Sequence, residues 1–122
     1  MRVGIDIVEA KRFQKMLKGN KSLDKVFTKY EQDHIAKITK QLPRMAGLYA
    51  AKEAVVKALG IGLFGGLLLD DIEIRHEDSG RPYLNVTPAV QQVFDKLGVA
   101  SADISISHTD TVATAICVLT DK

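Results

Sequence analysis

Apolar and polar residues alternate through RVGIDIV near the start of the chain, with Val3, Ile5 and Ile7 on one side and Gly4, Asp6 and Val8 on the other. A period of two predicts a strand. The pattern then changes to helix from Glu9 to Leu17, closed by Gly19 and Asn20. In FTKYEQDHIAKI, Thr28 followed three residues later by Glu31 is a capping box and opens a second helix. The stretch GLYAAKEAVVKALG, Gly47 to Gly60, is apolar or small almost all the way round. Pro43 suits its first turn and Gly60 its end, so a long helix is expected, and so apolar a helix is normally buried.

GIGLFGGLLL is expected as an apolar loop. It follows a helix rather than a strand, so it fails the context test for a dinucleotide-binding glycine motif. DIEIRHEDSGRPYLNV reads as a hairpin turning at Asp78, Ser79 and Gly80. TPAVQQVFDKLG has Thr87 as N-cap, Pro88 at the first helical position and Gly98 as the stop. Two last strands, Asp103 to His108 and Val112 to Leu119, are joined through Thr109, Asp110 and Thr111. Strand, three helices, two strands, helix, two strands: this order points to an α+β fold with a mainly antiparallel sheet.

At 122 residues the chain reads as a single domain, 1–122, able to bury a core without staples. The opening residues lack a signal peptide's apolar core, and no apolar run is long enough to span a bilayer, so a cytoplasmic location and no membrane partner are expected. Cys117 is the one cysteine and sits in an apolar run, where a thiol behaves as a small hydrophobe. A net charge of only +2 argues against a general nucleic-acid binder. The charge is unevenly placed. Lys11, Arg12, Lys15, Lys18, Lys21, Lys25 and Lys29 face the lone acid Asp24, which makes either a solvated lysine face or a dock for an acidic partner.

Against this background the charges in the long helix stand out. Glu53 and Lys57 are four apart and share a face, while Lys52 points elsewhere. They are either an ordinary surface pair or part of a ligand site. Asp6 is a second anomaly, a carboxylate inside an apolar strand. Its alternatives are a wet sheet face, a hydrogen-bonded turn, or a hard oxygen site for magnesium shared with Glu53; magnesium needs only one or two protein carboxylates. His108 ends a strand beside Ser107 and Thr109, whose hydroxyls suit either a phosphate or a hairpin turn. A Ser/His/Asp hydrolase lacks any G-x-S-x-G elbow here.

In order, GIDIVEAKRF, FTKYE, AGLYAAKEAVVKALG, DIEIRHEDSGRPYL and ISISHT resemble the successive motifs of the holo-[acyl-carrier-protein] synthases, the small bacterial 4′-phosphopantetheinyl transferases. The resemblance spans essentially the whole chain, and GIDIVE and AAKEAVVKA are its most specific blocks. It implies the 4′-phosphopantetheinyl transferase fold, with the sheet packed against a long central helix. It implies transfer of 4′-phosphopantetheine from coenzyme A to a serine of apo acyl carrier protein, releasing adenosine 3′,5′-bisphosphate. It makes Asp6 and Glu53 ligands of Mg²⁺ and sets Lys57 against the phosphates. Gly60, Ser107, His108 and Thr109 are expected near the coenzyme, and Lys52 is expected to contact the coenzyme or a structural partner. Glu31, Asp6 and a metal-bound water are the alternatives for the base. Lys11, Arg12 and Lys15, with Arg44, are expected to receive the acidic carrier. The resemblance also implies a homotrimer with sites at subunit interfaces, so that His108 faces a nucleotide held mainly by another subunit.

Two departures from the family pattern are visible. Leu48 stands where the family commonly carries arginine, a contact that could move to Arg44, and the segment 60–66 is unusually rich in glycine. Longer single-chain transferases are about twice this length. Two other classes compete: a non-catalytic module that docks an acidic protein on the basic patch, and a small metal-dependent nucleotide phosphohydrolase.

Overall fold

The computed structural model describes residues 1–19, 22–61 and 66–122. Strand β1 (Arg2–Glu9) runs through a 3-10 turn (Ala10–Phe13) into α1 (Gln14–Gly19), and α2 (Leu23–Val26) and α3 (Lys29–Ala36) precede the long α4 (Gln41–Leu59). After a second 3-10 turn (Leu69–Asp71) come β2 (Glu73–His76), β3 (Pro82–Asn85), α5 (Pro88–Leu97), β4 (Val99–His108) and β5 (Val112–Asp121). The strands form two antiparallel sheets, β1-β5-β4 and the separate hairpin β2-β3.

Helix α4 lies across the larger sheet. Its alanines keep the helix slim and favour helix intrinsically, and Gly60 ends it in the left-handed region at φ 71°. Ala50, Ala51, Ala54, Val55 and Ala58 are buried, as are Ala113, Ala115, Cys117 and Leu119 on β5 and Ile104 on β4. At Gly4 an added Cβ would fall 2.0 Å from the Ala54 carbonyl oxygen and 2.6 Å from the Ala58 nitrogen. Only glycine lets β1 press so closely on α4. That contact decides which side of β1 faces inward: Gly4 and Val8 are buried, while Val3, Ile5 and Ile7 are exposed.

Other expectations hold with shifted boundaries. Thr28 and Glu31 form the capping box at the start of α3. In α5, Thr87 accepts from the Val90 amide and Gly98 takes φ 72°. The first helix begins as a 3-10 turn because β1 extends to Glu9, and β4 starts at Val99, directly after Gly98. The short α2 was not expected, since four residues carry no readable period. Asn20, and residues 62–65 of the expected glycine-rich loop, lie outside the described residues. Cys117 is a buried free thiol, pushed up to about 12 chiefly by burial. Among the described residues no helix is long and apolar enough to cross a membrane.

Candidate active site

Strand β1 and helix α4 run antiparallel, pinned at both ends. Arg2 Nη1 donates to the Leu59 carbonyl at 3.3 Å, and Arg12 Nη2 donates to the Tyr49 hydroxyl at 3.1 Å. Asp6 lies between these pins on the inward side of β1, beside the turn of α4 that carries Glu53 and Lys57. Lys57 Nζ donates to Asp6 Oδ1 at 3.0 Å and to the Ile5 carbonyl at 3.1 Å. Thr114 Oγ1 donates to the Asp6 carbonyl at 2.9 Å, fixing the backbone from the β5 side. The Asp6 side chain is only 16% exposed, the Lys57 side chain 54%.

The i,i+4 pair between Glu53 and Lys57 does not form; the lysine turns to the strand instead. Glu53 sits beside Tyr49, whose phenol is pushed up by burial and by that carboxylate. Glu53 also borders a cavity of about 400 Å³ lined by Val56, Leu67, Leu68, Leu69, Lys25 and Asp70. One carboxylate thus faces the lysine, and the other opens onto an apolar recess.

Glu31 and Lys52 lie elsewhere and are wholly buried, paired with each other and lining neither the recess beside Glu53 nor the cavity at Arg44. Glu31 Oε1 accepts from Lys52 Nζ at 2.6 Å and from the Thr28 amide at 2.8 Å, and Oε2 accepts from the Ile74 amide at 2.7 Å. Lys52 Nζ also donates to the carbonyls of Leu69, at 2.9 Å, and Ile72. Burial raises Glu31 and lowers Lys52, and their mutual attraction with these hydrogen bonds opposes both shifts. With no solvent access, the pair ties α3, α4 and β2 together.

A second cavity, of about 150 Å³, lies between α4, the hairpin and the end of β4, lined by Arg44, Gly47, Leu48, His76, Pro82 and His108, among others. Leu48 is fully buried in its wall. Arg44 Nη1 lies 2.8 Å from His34 Nε2 and 3.3 Å from His76 Nε2. Ser107, His108 and Thr109 are exposed; Thr109 Oγ1 accepts from the amides of Thr111 and Val112 and so shapes the hairpin turn. Gly60 caps α4.

Of the basic residues, Lys11 pairs with Glu9 at 3.2 Å, Arg12 stacks over Tyr49 with 4.6 Å from its guanidinium carbon to the ring centroid, and Lys15 and Lys18 are exposed. Tyr49, which joins Arg12 to Glu53, was missed in the sequence although it stands one turn before Glu53 on α4. His34 and His76 were missed because 42 residues separate two ordinary-looking histidines.

Residues 2–117 match the family model described as the 4′-phosphopantetheinyl transferase superfamily. The chain is 42% identical over 120 residues to the holo-[acyl-carrier-protein] synthase of Protochlamydia amoebophila, covering 95% of this chain and 94% of that one. It is 39% identical to the synthase of Campylobacter hominis, over 87% of this chain and 86% of that one. Among solved structures, holo-[acyl-carrier-protein] synthase from Neisseria meningitidis superposes with a TM-score of 0.89 at 28% identity, covering 98% of each chain. The Helicobacter pylori synthase, in complex with coenzyme A, gives 0.83 at 29% identity over 97% of this chain and 99% of that one. With a conserved architecture and identity of this order over nearly its full length, the chain belongs to the 4′-phosphopantetheinyl transferase superfamily.

Proposed function

We propose that this protein transfers the 4′-phosphopantetheine group of coenzyme A to a serine hydroxyl of an apo acyl carrier protein, leaving adenosine 3′,5′-bisphosphate. The observation that carries the reading is the Lys57–Asp6 contact at the seam between β1 and α4, with Glu53 one turn before Lys57 on the helix. Two carboxylates and a lysine suit a phosphate-bound divalent cation. Among the described residues no three His, Cys, Asp or Glu side chains cluster as a metal cage. Two carboxylates are a donor set that magnesium accepts, because it takes few protein ligands and fills its octahedron from water and phosphate.

In this reading Asp6 and Glu53 hold Mg²⁺, which when bound neutralises charge on the diphosphate. Lys57, already 3.0 Å from Asp6, exchanges that contact for phosphate oxygens and stabilises their charge as the phosphorus–oxygen bond to the nucleotide breaks. The apolar recess beside Glu53 gives room for the pantetheine arm. With Glu31 sealed away, Asp6 and a water are left as acceptors of the serine proton.

Arg44 and Glu53 are nine residues apart, half a turn in angle, and so lie on opposite faces of α4. A nucleotide touching both the Asp6 seam and the His108 cavity would need two copies of the chain. The outer face of the sheet is suited to such contact: Val3, Ile5 and Ile7 are 52%, 61% and 70% exposed, and Ile5 lies opposite Ile116 across the β1–β5 ladder. We therefore favour a homotrimer with composite sites, working in the cytoplasm. Arg12, Lys15 and their neighbours would meet the acidic carrier.

The test is intact-protein mass spectrometry of apo acyl carrier protein incubated with this protein and coenzyme A. A gain of one phosphopantetheine with magnesium, and none with chelator, is expected. Nucleotide breakdown without modified carrier would favour a phosphohydrolase, and carrier binding without any reaction would favour a docking module.

A further inference from the structure

The proposed transfer uses Glu53 and Lys57 and leaves the adjoining Lys52 without a role. Burying an ammonium group is costly, and an apolar side chain could fill the same space. The Lys52 ammonium has three N–H groups and meets three acceptors: Glu31 Oε1 at 2.6 Å, the Leu69 carbonyl at 2.9 Å and the Ile72 carbonyl. Glu31 in turn accepts from the Ile74 amide through Oε2 at 2.7 Å. Within the same segment, Thr87 Oγ1 donates to the Asp71 carbonyl at 2.7 Å. Side chains from α3, α4 and the start of α5 thus grip the backbone of residues 69–74 at Leu69, Asp71, Ile72 and Ile74. The turn adds its own bonds, from the Asp71 amide to the Leu68 carbonyl and from the Ile72 amide to the Leu69 carbonyl.

What this grip holds in place is one wall of the recess beside Glu53. Leu67, Leu68, Leu69 and Asp70 form that wall, while Glu53 and Val56 on α4 and Lys25 on α2 form the rest. Lys52 and Glu53 are consecutive and leave α4 about 100° apart. One holds the wall from the protein interior, and the other faces the recess. Leu67 is buried, but Leu68 is 67% exposed and Leu69 is half-buried, so side-chain packing fixes only part of the wall. The hydrogen bonds to Lys52 and Thr87 fix the remainder.

Resting on the transferase reading, we propose that Lys52, oriented by Glu31, is a positioning residue for coenzyme A. It sets the recess wall at the separation from α4 that the pantetheine arm requires, without touching the arm. A wall fixed in advance loses little freedom when the arm enters, whereas a wall that the ligand must order weakens binding. The effect belongs to the arm, and the nucleotide end of the coenzyme should not sense it.

The test is calorimetric binding of coenzyme A and of adenosine 3′,5′-bisphosphate, which has no pantetheine arm, to the wild-type protein and to two kinds of variant. Lys52→Met combined with Glu31→Gln removes the ion pair and releases the Leu69 and Ile72 carbonyls. Thr87→Val releases only the Asp71 carbonyl, and Thr87→Ser keeps the hydroxyl. The double variant should bind coenzyme A about 5-fold or more weakly and the bisphosphate within about twofold of wild type. In the transfer assay its KM for coenzyme A should rise while kcat stays within about twofold. Thr87→Val should show the same selectivity with a smaller loss, and Thr87→Ser should show none. Equal losses on both ligands, or an unchanged affinity for coenzyme A in a folded double variant, would overturn the proposal. Where urea unfolding shows that the double variant does not fold, Thr87→Val carries the test, and the absence of a selective loss of coenzyme A overturns the proposal in the same way. If the wild-type protein binds coenzyme A but modifies no carrier, the transferase reading alone fails, and the two-ligand comparison still decides the role of Lys52.

Discussion

Lys57 Nζ donates to Asp6 Oδ1 at 3.0 Å across 51 residues of sequence, in preference to Glu53 one turn away on its own helix. The lysine thus marks where an anion is welcome, and in the proposed reaction it transfers its contact from carboxylate to phosphate. Lys57→Ala should lower kcat by about 100-fold, the scale for losing one fixed donor to developing charge. Single-turnover rates at saturating coenzyme A would show this. An unchanged rate would leave Lys57 as a structural link between β1 and α4.

Gly4 sets the distance between those same elements. A methyl group at that position would sit 2.0 Å from the Ala54 carbonyl oxygen, with backbone rather than a flexible side chain in its way. Gly4→Ala should therefore destabilise the fold by about 3 kcal/mol or more, at the severe end of overpacking. Urea unfolding would measure it, and a loss below about 1 kcal/mol would mean that β1 can lift from α4 at little expense.

The Glu31–Lys52 pair offers a cleaner separation of stability from chemistry. Lys52→Met leaves Glu31 as an uncompensated buried carboxylate and should cost about 3–5 kcal/mol. Adding Glu31→Gln, which keeps a polar group at the cap, should recover a substantial part of that loss. The recovered double variant should retain transfer if neither residue touches substrate. A stable double variant without activity would return Glu31 or Lys52 to the site.

How much of this was legible beforehand differs from element to element. Thr87, Pro88 and Gly98 delimit α5 through local chemistry, and Thr28 with Glu31 opens α3 in the same way. Local signals, however, do not name distant partners. The capping-box reading of Glu31 was correct yet incomplete, because its second oxygen and Lys52 meet only when α3 packs on α4 and β2. Likewise the alternation in β1 defined two faces but not which is buried; the close approach at Gly4 decides that. The division of the strands into two sheets depends on long-range pairing that periodicity does not carry.

The stacked rings of His34 and His76 give the fold a pH dependence of definite sign. His76 is lowered to about 4, first by burial and then by His34 and Arg44, and His34 is lowered by burial, Arg44 and Lys37. Unfolded histidine, near 6.5, takes up a proton that the folded form resists. The stabilising contribution is present in full above about 6.5 and is lost as pH falls toward 4. Urea midpoints should fall over this range in the wild-type protein and fall less in His76→Asn. Parallel curves for the two proteins would show that other groups dominate.

Carrier recognition should depend on Arg12 and Lys15. Reversing both charges should raise KM for the carrier and flatten its salt dependence while leaving KM for coenzyme A unchanged. Unaltered carrier kinetics would make this surface an ordinary solvated face.

The central claim is that Asp6 and Glu53 act together on a metal-bound coenzyme, and calorimetric titration of coenzyme A with magnesium and with chelator tests it most directly. Wild-type protein should bind coenzyme A about 10-fold or more tightly with magnesium, and Glu53→Gln or Asp6→Asn should abolish that difference while leaving the fold intact. An undiminished magnesium dependence in either variant would contradict the assignment.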